Sequence, residues 1–138
     1  MLDRLIQSTT IPLLEQVVNF SQARHAVLAG NVANLDTPGY HARDLSVDDF
    51  QSRLKDAVQS QHQRPTIRSP GELASSSGMK KMAEASKDPR TILRHDDGKV
   101  DMEEQVTEMV KNQIQHNLAL AIMRSQFQLL QVAISERA

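Results

Sequence analysis

The chain has 138 residues and a mass of 15.4 kDa, which is room for one domain of ordinary size. Lys and Arg number 16 against 17 Asp and Glu, a formal charge of −1, so no net basic field exists to hold nucleic acid or an anionic membrane. The absence of Cys excludes disulfides and thiolate catalysis, and no apolar run approaches the roughly 20 residues of a membrane span.

The first predicted element is a helix over residues 11–35. Apolar residues recur there at spacings of three and four, which is the period of one helix face. The positions of this face are Ile11, Leu14, Val18, Ser21, His25, Leu28, Val32 and Leu35. Thr10 is suited to cap the start, and Asp36-Thr37-Pro38-Gly39 ends the helix because the residue before proline is displaced from the α conformation.

Residues 41–100 are predicted to form a largely irregular, partly disordered middle segment. They hold few Leu, Ile, Val and Phe residues and most of the Pro residues of the chain. Within them a short helix is predicted at 47–58, where apolar residues share one face. Short extended pieces are predicted near 66–68 and 91–94.

A second long helix is predicted within residues 101–138. Asp101 and Glu104 form a capping signature at its start, and Glu103 adds negative charge at the positive end of the helix dipole. Its heptad-spaced row comprises Met102, Val106, Met109, Gln113, His116, Leu120, Met123, Phe127, Leu130 and Ile134. A row this long is typical of a helix paired along its length with another helix.

These elements predict a mainly α fold. The helix and turn of residues 1–40 and the helix of residues 101–138 are expected to pair as an antiparallel, coiled-coil-like hairpin and to form one domain. Residues 41–100 have to connect the end of the first helix to the start of the second, and the two heptad rows favour pairing along their length.

The C-terminal helix also carries a second apolar row, displaced around its surface from the first. We call it the intersubunit stripe, and its residues are Val110, Ile114, Leu118, Ile122 and Leu129. Two helices cannot cover both rows. Unless the middle segment folds over it, this surface has to meet another protein chain.

The sequence shows no constellation of residues for catalysis. The five His residues lack the spacing of a zinc site, and no glycine-rich phosphate loop occurs. Ser-x-x-Lys pairs occur at Ser52 and Lys55 and at Ser77 and Lys80, without the companion motifs of acyl-transfer enzymes. We predict no catalytic residue, no metal and no cofactor; a small hydrolase that uses one Ser-Lys pair is the enzymatic alternative.

The most distinctive stretch lies at the end of the first predicted helix. It reads Gly30-Asn31-Val32-Ala33-Asn34-Leu35-Asp36-Thr37-Pro38-Gly39-Tyr40. Two Asn residues three positions apart, among small residues, let a neighbouring backbone approach and offer it amide hydrogen bonds, and Pro-Gly then turns the chain. By composition alone the stretch is a helix end followed by a turn.

This stretch resembles a motif of the bacterial flagellar axial proteins, whose rod and hook members share an N-terminal helix that ends in A-N-x-x-N-x-x-T-P-G-Y. Gly30 stands where Ala is commoner, and the run from Gly98 to Glu103 resembles the start of the C-terminal helix in the same family. The matching residues are Asn31, Ala33, Asn34, Thr37, Pro38, Gly39, Tyr40, Val100, Asp101 and Glu103.

The resemblance implies a structural subunit of the proximal rod of the flagellar basal body, which passes torque from the membrane ring to the distal rod and hook. Such a subunit is exported by the flagellar type III apparatus without a cleaved signal peptide and assembles in the periplasm. The N-terminus agrees, since it lacks the basic-then-apolar layout of a cleavable signal.

The implied partners are further copies of the chain, other rod proteins, the membrane (MS) ring with its rod adaptor, and the export apparatus. Nucleic acid and a membrane span of its own are not expected. The alternatives are another short flagellar rod subunit and, from a different class, a coiled-coil adaptor protein outside the flagellum.

Overall fold

A computed structural model of the protein describes residues 9–62, 82–87, 89–91 and 102–135. The elements in chain order are helix α1 (Ile11–Ala33), strand β1 (Arg43–Asp44), helix α2 (Val47–His62), strand β2 (Arg90–Thr91) and helix α3 (Met102–Ser135). A further helical turn covers 82–85. The prediction of a mainly α fold with long N- and C-terminal helices is confirmed.

Helices α1 and α3 form the antiparallel hairpin. Near the end of α1, Asn31 bonds to Gln105 in the first turn of α3, whereas Ser21, further back in α1, accepts a bond from Asn112. Moving towards the start of α1 therefore means moving towards the end of α3. Because α1 has 23 residues and α3 has 34, the last turns of α3 extend beyond Ile11.

The face of α3 that meets α1 is more polar than the predicted heptad row. The buried residues of α3 are Gln105, Asn112 and Ala119. The exposed members of the predicted row are Met102, Val106, Gln113, Phe127 and Ile134. The predicted row is therefore wrong at these five positions. The physical reason is that the buried amides find partners on α1, which fixes the rotation of α3 about its axis.

The apolar core lies between α1, α2 and the helical turn at 82–85, beside the face of α1 that meets α3. Its buried cluster consists of Leu13, Phe20, Leu45, Phe50, Met82 and Ala85. The rings of Phe20 and Phe50 stack with their centroids 4.0 Å apart. Among the described residues, α3 contributes nothing to this cluster, and most of its members come from the segment between the two long helices.

Strands β1 and β2 form a two-stranded antiparallel sheet, in which Arg43 pairs with Thr91 and Asp44 with Arg90. The sheet holds 89–91 beside the chain that follows α1, and the next residue after β1, Leu45, enters the core. Strand β2 overlaps the predicted extended piece at 91–94 by one residue. The piece predicted near 66–68 lies outside the described residues.

By length and composition alone α3 could cross a bilayer, and it is the one helix in the described part of the chain for which this holds. The expectation that the chain has no membrane span rested on the lack of an uninterrupted apolar run of that length. In the structure α3 binds α1 through Gln105, Glu108 and Asn112. Such contacts are typical of a helix that packs against protein.

Candidate functional site

The motif at the end of α1 stops the helix and reverses the chain. The side-chain amide of Asn34 donates to the Gly30 carbonyl at 2.8 Å, and the backbone N–H of Asn34 donates to the same oxygen at 3.1 Å. The Tyr40 N–H then donates to the Thr37 carbonyl at 3.2 Å, which closes a turn whose third residue is Gly39. Gly39 has a φ of +76°, a conformation that favours glycine.

Asn31 is the centre of the site, and all four hydrogen-bonding positions of its amide are used. The side chain is almost wholly buried, with 1% of the residue exposed. Its Nδ2 donates to the Arg43 carbonyl at 2.6 Å and to Gln105 Oε1 at 3.0 Å. Its Oδ1 accepts from the Tyr40 hydroxyl at 3.0 Å and from the Arg43 N–H at 3.1 Å. Asn31 thus binds the N–H and carbonyl of Arg43 as a neighbouring strand would.

The two Asn residues of the motif therefore have different roles. Asn31 offers its amide to a neighbouring backbone, as the spacing suggested, and that backbone belongs to β1 of the same chain. Asn34 bonds within its own helix end. Through Asn31 and Gln105, the motif also positions the first turn of α3.

A second polar centre surrounds Arg24, which is 5% exposed. Its Nε and Nη2 donate to the two carboxylate oxygens of Asp44 at 2.9 and 2.7 Å, and Nη2 also donates to Glu108 at 2.9 Å. Burial acts to lower the pKa of Arg24, but the hydrogen bonds to Asp44 and Glu108 outweigh it, and the pKa is raised. The guanidinium stays charged and ties α1 to both β1 and α3.

Sequence reasoning missed this centre. Arg24 lies on the face of α1 that meets α3, three residues after Ser21 and four before Leu28, so the helical period already placed it there. The carboxylates that join it are 20 and 84 residues away, and nothing in their spacing marks them as partners.

Glu108 makes the stability of the hairpin depend on pH. Hydrogen bonds from Lys111 and Arg24 lower the pKa of Glu108 from the ordinary value of 4.5. A carboxylate whose pKa is lowered on folding stabilises the folded state above its unfolded pKa, and this contribution is lost as the pH falls through the folded pKa. We therefore expect the urea midpoint of unfolding to fall as the pH drops below about 4.5, the ordinary pKa of the carboxyl group, and to fall less in Glu108→Gln. An equal fall in both proteins would contradict the assignment.

The third polar contact of the hairpin is incompletely paired. Asn112 Nδ2 donates to the Ser21 carbonyl at 2.8 Å. Within the described residues, Asn112 Oδ1 and His116 Nδ1 are buried and have no hydrogen-bond partner. His25, which the sequence placed on the same face of α1 as Ser21, is exposed. A buried polar atom without a partner costs about 1–3 kcal/mol, so these two atoms offset part of the stabilisation from the neighbouring hydrogen bonds.

Gly30 and Gly39 provide a matched pair of substitutions at the motif. Apart from the adjacent residues and the backbone of α1 itself, no atom of the described residues lies within 4 Å of a Cβ placed at either position, so Ala collides with none of them. Inside α1, Gly30→Ala should raise the free energy of unfolding by up to about 1 kcal/mol, because Ala is the better helix former. At the turn, Gly39→Ala should lower it by about 1–2 kcal/mol, because Ala is strained at positive φ. Urea unfolding of both variants checks this, and a loss of stability in Gly30→Ala would contradict it.

All five residues of the intersubunit stripe are exposed on α3. Val110 and Ile114 lie nearly opposite Gln105 and Asn112, whereas Ile122 and Leu129 lie about 100° around the helix from them. The exposed fraction runs from 40% at Ile122 to 62% at Ile114. Leu118 and Ile122 also border a groove of about 230 Å³ between α1, α2 and α3. The described part of the chain leaves 40–62% of each stripe residue uncovered and available to a neighbouring molecule.

The remaining predicted residues are exposed on the surface or lie outside the residues that the structure describes. Those exposed in the structure are Ala33, Thr37, Pro38, Gly39 and Glu103. Those outside the described residues are Val100, Asp101, Ser77 and Lys80. Ser52 and Lys55 are both exposed on α2. Within the described ranges, no three His, Cys, Asp or Glu side chains are grouped to hold a metal ion.

The N-terminal helix ends in the Asn and Thr-Pro-Gly-Tyr turn and lies antiparallel to a longer C-terminal helix. This arrangement agrees with the resemblance to the flagellar axial proteins. No protein-family model matches the chain. Individual relatives do. The flagellar basal body rod protein FlgB of Escherichia coli strain K12 is 31% identical over 134 residues, which are 91% of each chain.

The FlgB of Salmonella typhimurium strain LT2 is 30% identical over 135 residues, again 91% of each chain. The FlgB of Bacillus subtilis strain 168 is 26% identical over 132 residues, which are 93% of this chain and 95% of the relative. The match thus includes the middle segment and extends over nearly the whole length of these proteins. The chain belongs to the FlgB family of flagellar basal body rod proteins.

Proposed function

We propose that the chain is a non-enzymatic structural subunit of the proximal rod, which passes torque from the membrane ring towards the distal rod and hook. The observation that carries the proposal is the intersubunit stripe, whose five apolar side chains are 40–62% exposed on α3. A rod subunit needs a surface that is uncovered in the single chain and becomes buried in the assembly. The names of the relatives, which are basal body rod proteins, support the same function.

The two polar centres determine the direction in which the stripe on α3 faces. Asn31 and Arg24 each join α1, β1 and α3, so they fix the rotation of α3 about its axis. Burying one Val, Leu or Ile side chain contributes roughly 1.5–3 kcal/mol, before the cost of association is subtracted. If these lateral contacts are repeated around the rod, they would make the rod resist twisting. In this way the subunit would transmit torque.

The proposal includes the route and the neighbours of the chain. It would leave the cell body through the flagellar type III apparatus without losing an N-terminal signal, and it would assemble in the periplasm. Its partners would be copies of itself, other rod proteins, and the MS ring with its rod adaptor. The two long helices would act as one domain, joined by the segment of residues 41–100.

Basal bodies isolated with and without the chain test this proposal. Cells that lack the chain should be non-motile, and their basal bodies should show a membrane ring without a rod. Mass spectrometry of the chain recovered from complete basal bodies should give the mass of the unprocessed protein. Complete rods in cells without the chain would refute the structural function. A shortened N-terminus would refute the proposed route only.

A further inference from the structure

The groove beside the stripe is shaped for a large apolar side chain. Its volume of about 230 Å³ exceeds the roughly 150 Å³ in which an apolar cavity takes up a benzene ring. The stacked rings of Phe20 and Phe50 line it, together with Leu118 and Ile122 of the stripe. None of its lining residues is charged. An occupant should therefore be apolar and uncharged.

The end of α3 has this chemistry. From Ser125 to Ser135 the chain carries no charged residue. The exposed large side chains in this stretch are Phe127 (47%), Leu129 (61%), Val132 (52%) and Ile134 (55%). Phe127 and Leu129 lie about 200° apart around the helix, so the end of α3 is apolar on nearly opposite sides. Gln126, Gln128 and Gln131 separate the two apolar strips, and each strip is a surface that normally packs against a neighbour.

The hairpin itself cannot bury this end. The register of Ser21 with Asn112 places the start of α1 beside the middle of α3, and a single helix covers only one side of its partner. The described part of the chain therefore leaves at least one apolar side of the end of α3 uncovered and available to another chain. A second copy of this chain offers the uncharged groove, which is continuous with the proposed stripe contact.

We propose that the end of α3 of one copy docks in the groove of a second copy, with Phe127 against the exposed side chains of Leu118 and Ile122. This inference rests on the proposed rod function, which brings copies of the chain together. Groove and helix end are different surfaces of the same chain, so the contact is head-to-tail. A head-to-tail contact that does not close generates an open helical array, whereas a self-complementary contact would stop at a dimer.

A chain without Cys allows a direct crosslinking test. Gln51 lines the groove, and Gln131 stands one helical turn beyond Phe127; both are exposed. Cells would express two full-length copies of different mass, one with Gln51→Cys and the other with Gln131→Cys. Because each copy holds one thiol, a mixed disulfide has to join two chains. The matched control replaces Gln131→Cys by Gln113→Cys, an exposed Gln about 27 Å back along the same helix.

We expect mixed disulfides in isolated basal bodies of motile cells for Gln51→Cys with Gln131→Cys. They should be absent for the control pair, and they should be lost when Phe127→Ala is added to the copy that carries Gln131→Cys. Rods that assemble and support swimming without the mixed disulfide would overturn the docking while leaving the rod function intact. A dominant disulfide between two Gln131→Cys copies would overturn it as well, since it would indicate a self-complementary contact.

If the Cys substitutions themselves prevent motility, the same pairs are measured on the purified full-length chains. The mixed disulfide of Gln51→Cys with Gln131→Cys should then rise with protein concentration and exceed that of the control pair. Equal yields for the two pairs at every concentration would overturn the proposal.

Discussion

Replacing Leu118 and Ile122 of the stripe by Asp is expected to abolish rod assembly and swimming while the chain is still made and exported. The two residues are 59% and 40% exposed, so a carboxylate at either position can keep contact with water in the single chain. In an assembled contact each substitution removes roughly 1.5–3 kcal/mol of apolar burial and adds a desolvation penalty of several kcal/mol. An assembly that repeats the contact at every subunit cannot absorb these losses. Motility and secretion of the chain, measured in parallel, check the expectation.

A matched control introduces the same number of carboxylates elsewhere. Ser52→Asp with Gln59→Asp changes two exposed residues of α2 that no proposed contact uses, and swimming should be close to that of the wild type. The same variant removes the Ser of the Ser52–Lys55 pair, so normal swimming would also count against a hydrolase that depends on it. Wild-type swimming with Asp at both stripe positions would show that the stripe stays exposed in the rod, and the proposed assembly surface would be wrong.

Replacing Asn31 by Leu should be the most destabilising single change at the motif. It removes four hydrogen bonds, and it leaves the N–H and carbonyl of Arg43 and the amide of Gln105 without their partner. A buried polar group left unpaired costs about 1–3 kcal/mol, and water can reach some of these groups, so we expect a loss of about 3–4 kcal/mol. Urea unfolding followed by circular dichroism measures it.

The second Asn of the same motif is the control. Asn34→Ala removes one side-chain bond, to the Gly30 carbonyl, at a half-buried helix end. Its expected cost is about 1 kcal/mol. Equal losses for the two variants would show that Asn31 acts only as a local helix terminator and does not join α1 to β1 and α3.

The sequence by itself determined the parts of the protein that depend on local interactions. The spacing of apolar residues predicted both long helices to within a few residues, because a helix face repeats every three to four positions. The turn after α1 follows from Pro38 and Gly39, whose backbone preferences act over four residues. The stripe could also be predicted, since two helices cannot cover two separate rows on one of them.

The tertiary structure alone decided which face of α3 is buried and what fills the core. Periodicity favoured Val106 and Phe127 for the face towards α1, yet the buried residues of α3 are Gln105, Asn112 and Ala119. Met82 is 0% exposed in the core. It belongs to the segment of residues 41–100, whose composition predicted a largely irregular link between the two long helices.

The physical reason lies in the buried polar groups. A buried amide or guanidinium is stable only where its partners meet it, and the partners of Asn31 and Arg24 lie up to 74 and 84 residues away. Periodicity reports which residues share a face of one element. It holds no information on which distant donor and acceptor satisfy each other, and that pairing is settled only when the elements come together in the fold.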